Sequence, residues 1–181
     1  ELKAPDGGYV IDNPSTNVVI GPNGDTQTVV ITNTRKGNLI IDKYDSVTRL
    51  LLPNAQFKVT TASGELVPDN EGMTSTNGLY TTGADGRIVL SRINPGTYLI
   101  SETRSPDNYQ ADPTPQTVVV NAGDTQTVRF YDDPLCTLTI LKRDAVTKKP
   151  LSKAEFIVRD SEGRPIGPDN GRYITGTDGT V

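Results

Sequence analysis

The stretch YLISETRSP, residues Tyr98–Pro106, decides how the chain is read. As a strand it places Tyr98, Ile100 and Glu102 on one face and Leu99, Ser101 and Thr103 on the other. The first of these faces carries an aromatic and an aliphatic residue, so Glu102 is aimed at a core. An ionised carboxylate alone in such a place costs several kcal/mol or shifts its pKa strongly. Glu102 therefore needs company from elsewhere in the chain.

The chain repeats itself, and the repeat supplies that company. GDTQTV occurs at Gly24–Val29 and again at Gly123–Val128, an offset of 99 residues. The same offset aligns Lys43 with Lys142, Asp45 with Asp144, Leu52 with Leu151, Ala55 with Ala154, Phe57 with Phe156 and Val59 with Val158. Past a loop that is shorter in the later copy, GLYTTGADG (Gly78–Gly86) matches GRYITGTDG (Gly171–Gly179). At the start, ELKAPDGGY (Glu1–Tyr9) is a variant of ETRSPDNY (Glu102–Tyr109). These matches divide the chain into the back part of one repeat (1–35), one complete repeat (36–133) and the front part of a third (134–181). A period near 100 residues suits an independently folding domain rather than a solenoid turn. The join DDPLC, with its single Pro, is unlike a flexible linker.

Within the complete repeat, strands are expected near 38–44, 56–62, 79–82, 87–91, 97–103, 117–121 and 125–131. ASGE, ADGR, NPGT and NAGD between them supply residues for tight reversals. Seven short strands in one repeat point to an all-β, Ig-like antiparallel β-sandwich, and the repeats to tandem copies of it. Composition agrees: of 181 residues, 34% are hydrophobic, with 17 Gly and 13 Pro. A net charge of -4 without a basic cluster argues against a nucleic-acid partner. No stretch is long and apolar enough for a membrane span, and no leader is evident. The absence of His removes the commonest general base and metal ligand. Cys136 is the only Cys, so no intrachain disulfide and no thiolate metal cluster is available. In LCTLTI it reads as a small buried hydrophobe. No cofactor or metal site is expected, and Asp69, Asn70 and Glu71 lack the spacing of a calcium loop.

Strand phase then shows two further polar residues on core faces. Lys43 follows Leu39 and Ile41, as Lys142 follows Leu138 and Ile140. Asp132 follows Val128 and Phe130, and the earlier copy places Val29, Ile31 and Asn33 there. Three readings are open: strand ends that reach water, a buried ionic triad, or a covalent product. Ionic triads are poor stabilisers beside apolar replacements. An amide between Lys and a carboxyl is neutral and removes the burial cost.

YLISETRSPDNY resembles the E-box (Tyr-x-Leu-x-Glu-Thr-x-Ala-Pro-x-Gly-Tyr) of Cna B-type, or SpaA-like, prealbumin-fold repeat domains of Gram-positive surface adhesins and pilins. LIIDKYD, PNAQFKV and VRFYDD are similar to that family as well. Ile100 replaces Leu, Ser105 replaces Ala and Asn108 replaces Gly. The resemblance implies an intramolecular isopeptide bond between Lys43 and Asp132, with Glu102 as the catalytic proton relay. YDD leaves Asp133 as a second possible acceptor, but parity and the match to Asn33 favour Asp132. Glu1, Asn33 and Lys142 are the equivalent positions in the partial repeats. Burial favours uncharged forms, hence a neutral amine on Lys43 and a protonated Glu102 that polarises the acceptor carbonyl. Holding the groups together supplies about 7–11 kcal/mol of the barrier. Such a reaction is a single-turnover event, so the protein is not an enzyme in the usual sense.

The function implied is a structural stalk or fibre repeat of a cell-surface or cell-wall adhesin, extracellular, with neighbouring repeats of the same chain as partners. The alternative is a ligand-binding adhesin module whose loop Val67–Gly78 contacts a host or matrix molecule. Lys142 of one chain could also bond Asn33 of the next. That composite would lack a central strand, so an excerpt from a longer array is the favoured reading. No sortase-type Leu-Pro-x-Thr-Gly or pilin-type Tyr-Pro-Lys-Asn motif lies in these residues.

Overall fold

A computed structural model describes residues 1–181 except Asn23, Asp25, Glu71 and Gly72. Asp25 belongs to the first GDTQTV copy, and Glu71 and Gly72 to the loop Val67–Gly78; these parts of the expectations lie outside the described residues. The chain forms two compact units, Glu1–Leu135 and Cys136–Val181.

The first unit opens with β1 (Tyr9–Ile11) and β2 (Asn33–Arg35), an antiparallel pair. Then follow β3 (Gly37–Asp45), β4 (Gln56–Thr61), β5 (Leu79–Thr81), β6 (Arg87–Ile93), β7 (Gly96–Arg104), β8 (Tyr109–Gln110), β9 (Gln116–Val120) and β10 (Thr125–Pro134). All seven expected strands of the complete repeat are present, and the two-residue β8 is additional. Two four-stranded sheets, in the orders β6-β3-β10-β8 and β5-β4-β7-β9, make the sandwich. Its pairings are antiparallel except that of β3 with β10, which is parallel. These are the first and last long strands of the repeat. The intervening strands serve as the long crossover that parallel neighbours require.

The inner faces follow strand alternation. Leu39 and Ile41 of β3, Ile88 and Leu90 of β6, and Val128 and Phe130 of β10 face Phe57 and Val59 of β4, Tyr80 of β5, Tyr98 and Ile100 of β7 and Val120 of β9 in one core. Phe57 and Phe130 meet across the layers, ring centroids 4.8 Å apart. At one end of this core the apolar lining gives way to Lys43, Glu102 and Asp132.

Turn chemistry fixes the ends of β3 and its neighbours. Asp45 Oδ1 accepts the N–H groups of Val47 and Thr48 at 2.7 and 2.8 Å, closing the turn after β3. Gly86 has φ +70°, and a Cβ there would lie 2.6 Å from Leu51 Cβ and 2.8 Å from Leu52 N. Only glycine meets both conditions.

The second unit repeats this scaffold. β11 (Glu155–Ile157) pairs antiparallel with β12 (Arg172–Ile174). Asp144 caps Val146 and Thr147 as Asp45 caps Val47 and Thr48. Thr175 bonds Ala154 and Leu151 as Thr82 bonds Ala55 and Leu52. Gly179 takes the place of Gly86, with Lys142 O only 2.5 Å from its would-be Cβ. The residues corresponding to core positions nevertheless line an open apolar cavity of about 500 Å³, among them Leu138, Ile140, Val158 and Tyr173. Cys136 lies on this cavity and is exposed rather than buried. Its segment is joined to the end of the unit at the Leu141–Thr180 bridge, through Ile140 with Val181 and by Lys142 N–H to Gly179 O, which leaves the cavity side open.

Candidate functional site

Three strands deliver the site. Lys43 sits on β3 opposite Phe130 of the parallel neighbour β10, and Asp132 follows two residues on along β10. The two side chains thus lie diagonally on one sheet face. Glu102 arrives from β7 in the facing sheet, where Phe57 is its partner on β4. Immediately beyond it the register shifts: Phe57 pairs with Glu102 and Gln56 with Arg104, leaving Thr103 as an extra residue. Such a bulge re-aims the side chains beside it. Thr103 Oγ1 ties down the bulge by donating to Gln56 O at 3.1 Å.

All three side chains are fully buried. Lys43 Nζ donates to Glu102 Oε2 at 2.9 Å and is in direct contact with Asp132 Oδ1. Desolvation pushes the Glu102 carboxyl up to about 7, partly opposed by Lys43 and reinforced by Asp132. Glu102 Oε1 and Asp132 Oδ2 are buried without a hydrogen-bond partner among the described residues. A proton on Glu102 would give one of these oxygens a donor to offer the other. The arrangement is a buried lysine nitrogen touching one carboxylate oxygen and donating to a second carboxyl that can hold a proton near neutrality. An amine, a carboxyl and a neighbouring acid are the groups that an amide condensation needs.

Asp133, the other possible acceptor, lies on the opposite face, exposed, and accepts the hydroxyl of Ser46. Asp132 also receives the backbone N–H of Asp112 at 3.1 Å. Sequence reading missed this contact, because a backbone donor from a loop leaves no side-chain pattern. Tyr109, the last aromatic of the E-box-like stretch, donates its hydroxyl to Asp45 Oδ2 at 3.0 Å. Its place in that motif was the one available signal.

The partial repeats show their parts of the pattern. Asn33 Nδ2 donates to Glu1 Oε1 at 2.9 Å, and Glu1 Oε2 and Asn33 Oδ1 are buried without partners among the described residues. The β1–β2 register, Tyr9 opposite Arg35, matches Tyr109 opposite Pro134. Lys142 is exposed. Elsewhere, Asp42 is buried on the outer face of β3, where Arg87 Nε and Nη2 grip it at 2.7 and 3.1 Å. The described part of the Val67–Gly78 loop is held by bonds to β6 and within itself. Asn70 exchanges two hydrogen bonds with the backbone of Ser91, at 2.6 and 2.7 Å, and Asp69 accepts Ser75 N–H. Among the described residues no group of three or more His, Cys, Asp or Glu side chains is placed to hold a metal ion. No helix among them is long and apolar enough to cross a membrane.

Comparison with known proteins agrees with the fold. The sequence profile of the SpaA prealbumin-like fold domain matches residues 37–134. A streptococcal ancillary pilin structure aligns with 96% of this chain and 60% of its own, at 19% identity and a TM-score of 0.51. The group B streptococcus pilus 2b backbone protein covers 64% of this chain and 47% of its own, at 27% identity and a TM-score of 0.47. The Bacillus anthracis TIE protein covers 86% and 27%, at 20% identity and a TM-score of 0.48. The chain thus spans 27% to 60% of the length of these three. No curated protein sequence matches.

Proposed function

Because the chain belongs to the SpaA prealbumin-like fold domain family, we propose that it is a stalk repeat of a Gram-positive surface adhesin or pilus, stapled by an autocatalytic Lys43–Asp132 amide. One observation carries the reading: a fully buried lysine in contact with both a carboxylate acceptor and a second carboxyl whose pKa is raised to about 7. As a permanent ionic triad this cluster would be a poor stabiliser. As an amide beside a protonated acid it is neutral. The bond joins the first and last long strands of the repeat, the two that carry load when a fibre is pulled at its ends.

On this reading residues 1–35 and 134–181 are parts of flanking repeats. The Glu1–Asn33 pair is the relay and acceptor of the preceding staple, and Lys142 is the nucleophile of the following one. Neighbouring repeats are the partners, and the cell surface or wall is the location. The chemistry is a single self-reaction, not turnover.

Intact-mass measurement of the folded chain tests the proposal. The mass falls short of the sequence by one water, and fragment analysis finds the Lys43 and Asp132 peptides joined. Glu102→Gln retains the full mass. A wild-type chain of full mass would overturn the staple and return the cluster to an ionic triad.

A further inference from the structure

The two oxygens of Asp132 stand in different surroundings. Oδ1 is held by the Asp112 N–H at 3.1 Å and touches Lys43. Oδ2 is buried without a partner among the described residues, as is Oε1 of Glu102. A proton on Glu102 would give these two oxygens a hydrogen bond that neither has while both groups are ionised.

We propose that the backbone N–H of Asp112 is the oxyanion donor of the condensation, making Oδ1 the oxygen retained in the amide and Oδ2 the oxygen lost as water. This rests on the amide-forming reading above. Glu102 first relays a proton: its carboxyl gives one to Asp132 Oδ2 and takes one at Oε2 from Lys43 Nζ, its hydrogen-bond donor, leaving a neutral amine, a neutral Asp132 and Glu102 still protonated. Nζ then adds to the carboxyl carbon, and the carbonyl π pair moves onto Oδ1. The charge that develops there faces the Asp112 N–H. Glu102 gives its proton to the Oδ2 hydroxyl, the C–Oδ2 bond breaks and water leaves. The π pair returns from Oδ1, and the surplus proton on nitrogen passes back to Glu102. One water is released, and no proton is gained or lost overall.

A donor aimed at developing charge works best when it is already fixed, and the segment carrying Asp112 is fixed at several points. Ser105 Oγ donates to Tyr109 O at 3.0 Å, and Leu135 N donates to Asn108 O at 2.8 Å. β8 pairs with the end of β10 beyond Asp132. The Tyr109 hydroxyl reaches Asp45, two residues beyond Lys43 on the nucleophile's own strand. Asp112 Oδ1 accepts the Thr114 N–H at 2.9 Å and so holds its own backbone in place. The donor is thereby tied to both strands that carry the reacting groups.

The test replaces the Ala111–Asp112 peptide bond by an ester, which deletes this N–H and keeps every side chain. Full-length parent and ester chains, made by ligation in denaturant and therefore unreacted, are folded by dilution, and the loss of one water is followed by mass. The ester chain is expected to react about a hundredfold more slowly. If it keeps pace with a parent that loses water, Asp112 is not the donor, although the staple stands. If the parent itself retains its full mass, the staple and the donor fall together. Should the ester chain not fold, amide hydrogen exchange in the folded parent decides. Protection of Asp112 N–H comparable to the β3–β10 ladder supports the assignment, and exchange at the rate of an open loop overturns it.

Discussion

Glu102 owes its role to where its proton is held. Its carboxyl is raised from an ordinary 4.5 to about 7 by desolvation, with Lys43 acting in the opposite sense. A folded value above the unfolded one means that the folded, unreacted chain binds this proton more tightly. The associated stability is complete below about 4.5 and is lost as the pH rises through about 7. In the proposed condensation this is the proton that polarises the acceptor, and it is lost over the same window. The rate of water loss after refolding is therefore expected to fall as the pH is raised from about 6 to about 9. A rate that climbs across this range would show that freeing the amine, not holding the Glu102 proton, limits the reaction. Glu102 and Lys43 were legible from strand parity alone, since each follows two apolar residues at alternate positions. Parity and repeat alignment also preferred Asp132 to Asp133, and the structure places Asp132 beside Lys43. The Asp112 donor was illegible, because main-chain groups are the same at every position and only a folded loop aims one.

The strands and turns carry a second set of expectations. Thr82 is buried and joins two segments, accepting Ala55 N–H at 3.0 Å and donating to Leu52 O at 2.9 Å. In the Glu102→Gln background, where unfolding is not masked by a staple, Thr82→Val is expected to cost about 1–3 kcal/mol. Denaturant titration reads this directly, and a loss below about 0.5 kcal/mol would mean that water replaces both bonds. Gly86→Ala places a methyl group against the Leu51–Leu52 backbone at positive φ. It is expected to destabilise the same background through strain, with a lower midpoint at an unchanged denaturant slope. ADGR marked this turn in the sequence. The bulge at Thr103 had no such mark, since an extra residue in a strand shows only when its partner strand is known. The parallel pairing of β3 with β10 was hidden too, because strand periodicity is the same in either direction.

At the scale of the whole repeat the proposed staple would close a loop of about 90 residues between β3 and β10. Constraint of the unfolded chain by such a loop is worth about 4–5 kcal/mol by analogy with a disulfide. Lys43→Ala, which also leaves two buried carboxyl groups without their cation, is expected to melt at least about 15 °C lower. It should also be cut faster by protease. Equal melting of the variant and the parent would remove the staple as a source of stability. Under tension the amide would bypass residues 44–131. Single-molecule pulling should show no unfolding step for the wild-type repeat and a step of about 300 Å for the variant.

The sequence by itself determined the repeat, the strands, the sandwich and the residues at odds with their faces. All of these are encoded locally, as period-two alternation, turn residues and self-similarity. Tertiary structure alone decided that three wrongly placed polar residues meet at one point. It did so by laying the first strand beside the last and turning a bulged strand of the opposite sheet toward them. It also decided that Asn33 already holds Glu1, whereas Lys142 stays exposed in its unit. Contacts between residues some 30 to 90 positions apart depend on the crossing of layers, and no local pattern records that crossing.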